Sequence, residues 1–234
     1  MNGKDRTPAA ALDAGEQPTT KERILTEALT LFSVHGYEGV SVRDIAGAVG
    51  IKESSLYKHY RNKQAIFDTL LEEMNERYHT MESALGIPGA AVAPVSEAKQ
   101  GVEFDPVIVY SEITEEALIE MSCALFRYYL RDDYAAKFRR MLSIEQYRNN
   151  AAGSAFTDTF LNGPLHYQSL LFAGLMNGGA FREEDPDIAA LHFYSPLYLL
   201  LCLYDGHPEK EEEALERVKQ HVIQFRRVYG GARG

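Results

Sequence analysis

A chain of 234 residues, 45% of them hydrophobic, is long enough for one or two domains with a real core. Its formal net charge of −10 excludes nucleic-acid binding over the whole surface, so any such contact must rest on a local basic face. No run approaches the roughly 18 apolar residues of a membrane span, and the longest candidate, residues 194–204, is interrupted by Pro196. Residues 1–18 mix Ala, Gly, Pro, Asp and Lys without an apolar signal core, which predicts a disordered tail on a cytoplasmic protein. Cys123 and Cys202 fall inside apolar helical patterns and read as buried thiols. No Cys/His cluster has metal-ligand spacing, and nothing calls for a metal or cofactor.

After the tail, Thr19 and Glu22 have capping-box spacing, and Ile24, Ala28, Leu31, Phe32 and His35 form one helical stripe that Gly36 stops. Ser41 is placed to cap a second helix, with Asp44 in its first turn and Ile45, Ala46 and Val49 as its buried face. Gly50 ends that helix, and Ile51 turns inward to set the angle of a third over Glu53–Tyr60. With about 100° between successive residues, Leu56 and Tyr60 share the buried face, and Ser54, Ser55, Tyr57 and Lys58 point outward. Two short helices joined by a Gly turn, the second with a polar, cationic and aromatic surface, predict a helix-turn-helix over about residues 42–61. Lys52, Lys58, Arg61 and Lys63 face a single acid, Glu53, in this stretch, while acids concentrate elsewhere, at residues 112–116, 183–187 and 209–213.

Asn62 is placed to cap a fourth helix from Lys63 to about Leu85. Residues 86–113 hold Pro88, Pro94, Pro106 and three glycines and read as a long linker, with an apolar and extended 107–110. Helices then fit 114–131, 132–147, 154–161, 164–177, 187–204 and 208–229, the penultimate one kinked at Pro196. This predicts an all-α chain: tail 1–18, a helix-turn-helix domain 19–81, and a larger helical body 82–234. The penultimate helix is apolar nearly all round and must be buried on both sides; one side can face a second subunit, the alternative being that it and the last helix bury each other within one chain. Leu197, Leu201 and Tyr204, with Leu215, Val218, Val222 and Phe225 of the last helix, are the expected homodimer seam.

Phe32-Ser33-Val34-His35-Gly36-Tyr37, then Val40 to Ala46, Val49-Gly50-Ile51, Ser55 to Tyr60 and Asn62-Lys63, resemble the TetR family of one-component transcriptional regulators. The resemblance covers about residues 21–80. It implies a repressor that binds a palindromic double-stranded DNA operator as a homodimer and is released by a small-molecule effector, with 19–81 as its DNA-binding domain and 82–234 as its ligand-binding and dimerisation domain. Tyr57 and Lys63 resemble the family's phosphate contacts. Lys52 departs from the pattern, standing where the family often has a Ser or Thr cap; a DNA phosphate beside it would offset its clash with the helix dipole. Ser41 and Arg43 are placed to meet the backbone, Ser54, Ser55 and Lys58 the groove, and His59 is open between phosphate donor and packing.

The effector site is expected among Met121, Phe126, Tyr129, Phe138, Met141, Phe160, Tyr167 and Phe172, the alternative being that most of these are simply core and only a minority touch ligand. The excess of acids suggests a cationic ligand, although surface acids say little about a pocket. The alternative is a helical enzyme or a protein-interaction module without DNA-binding activity. Against an enzyme, the sequence has no Gly-rich phosphate loop, nucleophile elbow or HExxH, and no residues are assigned a catalytic role.

Overall fold

The computed structural model describes residues 17–85 and 106–231, and the expectations for the tail 1–16 and for linker residues 86–105 lie outside it. Eleven α-helices are present among the described residues, and the one non-helical pairing is a lone bridge between Phe181 and Gly230. The all-α reading holds, with an amino-terminal helix-turn-helix followed by a larger helical body.

Helix α1 (Thr20–His35) begins with the reciprocal Thr19–Glu22 cap and ends at Gly36, whose φ of 73° and ψ of 166° suit glycine alone. Helices α2 (Val42–Val49), α3 (Glu53–Leu56) and α4 (Lys63–Leu85) follow. Ile24, Ala28, Phe32, Ile45, Leu56, Ile66, Phe67 and Leu70 are fully buried between them. That core does not close on itself. Helix α7 (Asp133–Glu145) lays Ala135, Phe138, Met141 and Leu142 against it, and Ala152, Phe156 and Phe160 extend it into the body. The Tyr134 hydroxyl donates to the Leu70 carbonyl at 3.0 Å, and Arg77 lies 4.3 Å over the Tyr134 ring, tying α4 to α7.

The body is completed by α5 (Pro106–Glu112), α6 (Glu115–Arg131), α8 (Asn150–Thr157), α9 (Gly163–Asn177), α10 (Pro186–Tyr204) and α11 (Glu211–Tyr229). Residues 107–110, expected to be extended, belong to α5. Val107 packs so tightly on α9 that a Cβ at Gly174 would stand 2.3 Å from Val107 Cγ2. Helix α8 runs into α9 through a π-helical turn, Asp158–Asn162, whose Phe160 carbonyl accepts from the Tyr194 hydroxyl at 2.7 Å. Arg127 and Arg131 of α6 pair with Glu211, and Arg139 and Arg140 of α7 pair with Asp205 at the end of α10. Pro196 lies within a single helical span. Helix α10 is 19 residues long with a mean hydropathy of 1.3, so by length and composition alone it suffices to cross a membrane; residues 194–204 understated it because the helix begins eight residues earlier, at Pro186. Its Ala189, Ala190, Leu200, Leu201 and Tyr204 are buried in the bundle.

At Gly36 the end of α1 meets the end of α7 closely. Glu145, wholly buried at the end of α7, has no hydrogen-bond partner for either carboxylate oxygen, and a Cβ on Gly36 would lie 2.3 Å from its Oε1. Gly36→Ala is expected to lower unfolding stability by about 1–3 kcal/mol, from the strained backbone alone, before any displacement of Glu145. Urea denaturation followed by circular dichroism measures this; an unchanged midpoint would show that the junction relaxes freely.

Candidate DNA interface and effector cavity

The turn between α2 and α3 is built from backbone geometry. Ser41 and Asp44 cap each other, Asp44 N–H donating to Ser41 Oγ at 3.1 Å and Ser41 N–H to Asp44 Oδ2 at 2.8 Å. Gly50 takes the left-handed conformation, φ 76°, letting Ile51 N–H reach the Ala46 carbonyl at 2.9 Å. Arg23 of α1 donates to the Val49 carbonyl and fastens the end of α2. Lys52 occupies the cap position of α3 with no side-chain capping bond.

The α-helical part of α3 is shorter than expected, ending at Leu56, after which Lys58 and His59 bond three residues back and tighten the chain to Tyr60. The physical cause is the double anchor: Leu56 is 0% and Tyr60 4% exposed, and the Asn62 cap of α4 follows at once, its Oδ1 accepting from Ala65 N–H at 2.8 Å. Ser41, Arg43, Lys52, Ser54, Tyr57, Lys58 and His59 are exposed around this turn, and Ser55 is half-buried. Lys63 differs from the others. Its ammonium donates to the carbonyls of Tyr37 at 2.6 Å and Val40 at 2.9 Å and lies 4.0 Å from the centre of the Tyr37 ring. It therefore pins the α1–α2 connection, with one of its three protons and its charge still available to an anion.

The body encloses a cavity of about 340 Å³. Tyr78 of α4, Tyr110 of α5, Met121, Phe126 and Tyr129 of α6, Phe160, and Tyr167, Phe172 and Phe193 of the later helices form its wall. Burial pushes the hydroxyls of Tyr129 and Tyr194 well above the ordinary phenol range, with further upward pressure from the neighbouring Tyr78, so these walls stay uncharged. The Gln168 amide oxygen is buried without a hydrogen-bond partner.

The bacterial regulatory proteins of the tetR family match this chain over residues 24–70, the segment that forms α1 to the start of α4. Residues 24–70 are thus similar to the amino-terminal domain of TetR-family regulators. The IcaR negative transcriptional regulator of the biofilm operon icaADBC from Staphylococcus epidermidis is 46% identical over 52 residues, 22% of this chain and 28% of that protein. The IcaR of Staphylococcus aureus strain Newman is 46% identical over 48 residues, 20% and 26% of the two chains. The chain thus aligns with only about a quarter of the length of these curated relatives. A TetR-family regulator from Mesorhizobium loti MAFF303099 shares the whole fold at a TM-score of 0.60, with 21% identity over 90% of this chain and 96% of that one. The fatty acid degradation regulator FadR of Bacillus halodurans does so at 0.58, with 19% identity over 89% and 97%.

Within the helical body the structure divides the residues expected at the effector site. Met121, Phe126, Tyr129, Phe160, Tyr167 and Phe172 line the cavity. Phe138 and Met141 do not: they are 2% and 0% exposed in the core that α7 makes with α1. Helical spacing marks a stripe for burial without saying against what. The same ambiguity corrects the expected dimer seam. Leu201, Tyr204, Val218, Val222 and Phe225 are buried within the chain, Leu215 packs against that core and Leu197 lines the cavity. The outward side of α10 is instead Ile188, Leu191, Leu199 and Leu203, between 43% and 57% exposed, and Cys202, expected to be buried, lies on this side. Their spacing of three to eight residues was legible in the sequence, but on a helix apolar all round nothing marked them as the outer side.

Lys63→Met leaves the Tyr37 and Val40 carbonyls without their donor and is expected to cost about 1–3 kcal/mol of stability. DNA affinity should fall with it, by a similar factor at every sequence. Urea melts and binding to two unrelated duplexes measure both; full stability with lost binding would make Lys63 a phosphate contact alone.

Proposed function

We propose that the chain is a transcriptional repressor that binds a palindromic operator as a homodimer and leaves it when a small molecule fills the cavity. The observation that carries this reading is the continuity of the core. Phe160 contributes both to the cavity wall and to the core shared with α1, and α4 carries Phe67 and Leu70 in that core and Tyr78 in the cavity wall. A ligand that moves these side chains has a packed route to the angle of the helix-turn-helix. It acts by favouring the conformer whose recognition helices no longer fit successive grooves. The IcaR relatives are negative regulators, and the structurally similar SmeT is a repressor of a multidrug efflux pump; both support repression as the direction. A cytoplasmic location follows from this reading.

Ser41, Arg43, Lys52, Tyr57 and Lys63 are assigned to phosphates, Ser54, Ser55 and Lys58 to base edges, and His59, exposed beside them, to a phosphate. Selection from a random duplex library should yield a two-fold motif with half-sites about 34–36 Å apart or somewhat more. Joint Tyr57→Ala and Lys58→Ala substitution should abolish enrichment and leave the fold intact, since both side chains are exposed. Folded, dimeric wild-type protein that enriches nothing at low salt would sink the repressor reading.

The outer side of α10 is assigned to the second subunit. Leu199 and Leu203, 57% and 55% exposed, stand one turn apart, with Val228 of α11 46% exposed. Leu199→Glu and Leu203→Glu each place a charge where a partner would desolvate it and should weaken self-association by about tenfold or more. Sedimentation equilibrium reads the effect; an undisturbed dimer would move the interface elsewhere.

A further inference from the structure

Among the described residues that line the cavity there is no aspartate, glutamate, histidine or lysine, and the single ionic side chain among them is Arg226 of α11. In a chain with 34 acids and 24 bases, an acid-free wall around one guanidinium departs from the overall charge balance. It also reverses the composition's suggestion of a cationic ligand. Arg226 is half-buried, and its Nη1 donates to the Ile113 carbonyl at 3.2 Å, which holds the guanidinium between α11 and the segment joining α5 to α6. No carboxylate pairs with it among the described residues, whereas Arg127, Arg131, Arg139, Arg140 and Arg217 each have one. Gly230 and Gly231 of the segment that follows α11 also line the cavity.

A partly desolvated guanidinium without a counter-ion favours an anion, and its planar fork matches a carboxylate in two parallel hydrogen bonds. The rest of the wall is aromatic and aliphatic, with phenols that burial keeps neutral, and takes an apolar body. We infer that the ligand of this cavity is a small amphipathic carboxylic acid whose carboxylate pairs with Arg226 and whose apolar body lies among Phe126, Phe172 and Phe193. The unpartnered Gln168 amide on the same wall accepts one hydrogen bond from a hydroxyl or N–H on that body. This assignment rests on the reading of the cavity as the effector site.

Isothermal titration calorimetry with 4-phenylbutyrate and octanoate, each against its matched alcohol, 4-phenyl-1-butanol and 1-octanol, tests it on the full chain. The acids should bind at least about tenfold tighter than the alcohols. Arg226→Gln should erase that preference and leave the alcohols within about twofold, while Arg226→Lys keeps part of it. Ser122→Phe, which fills the cavity from α6, should weaken all four probes in a protein whose helix content is unchanged. Acids and alcohols bound alike, or a preference that survives Arg226→Gln, would overturn the carboxylate assignment and leave the cavity reading standing. No binding of any probe, or binding indifferent to Ser122→Phe, would overturn both.

Discussion

The packing of α7 against α1 is the contact on which the rest depends. Phe138, Met141 and Leu142 meet Phe32 and its neighbours in a layer with almost no exposed atoms, so the helix-turn-helix is not a bead on a string but one end of a continuous core. Each such side chain contributes about 1.5–3 kcal/mol by leaving water. A domain that gains this much from its neighbour cannot tilt without repacking it. Glu145 sits at the edge of this layer with both oxygens unpaired, and Gly36 has no side chain to crowd it. Burying an unsatisfied polar group is costly, so Glu145 works against the stability of this seam.

Further into the body the same core becomes the cavity wall. Phe156 and Phe160 lie 5.8 Å apart by ring centroids, and Phe160 and Tyr129 6.3 Å, so aromatic contacts run from the α7 seam to the cavity. The π-helical turn at Asp158–Asn162 aims Phe160 into both, and Tyr194 accommodates the altered backbone by bonding its carbonyl. A one-residue change of helical register there would move Phe160 without breaking α8 or α9. Helix α4 links the same two regions along a second line, from Phe67 and Leu70 to Tyr78.

Helix α10 serves three surfaces at once. Ala189, Ala190, Leu200 and Leu201 pack inward, Phe193, Tyr194 and Leu197 close the cavity, and Leu199 and Leu203 face out. This threefold use explains why it is apolar nearly all round, and why its length and hydropathy match those of a membrane-spanning helix. A ligand against Phe193 or Leu197 therefore touches the helix that carries the proposed subunit contact.

The sequence by itself determined the all-α class, the caps at Thr19, Ser41 and Asn62, the left-handed turn at Gly50, and the burial of Leu56 and Tyr60. These are local: each depends on hydrogen bonds within three or four residues or on one unbroken periodicity. Only the tertiary structure decided which surface each apolar stripe meets. Phe138 and Met141 serve the α1 seam rather than the cavity, and Val218 and Val222 serve the chain's own core rather than a partner. Lys63 acquired its carbonyl partners, and Arg226 its place in an acid-free wall, from segments 23 to 113 residues away. Periodicity states that a side chain leaves water; the identity of what replaces the water is set by long-range packing, which no local pattern encodes.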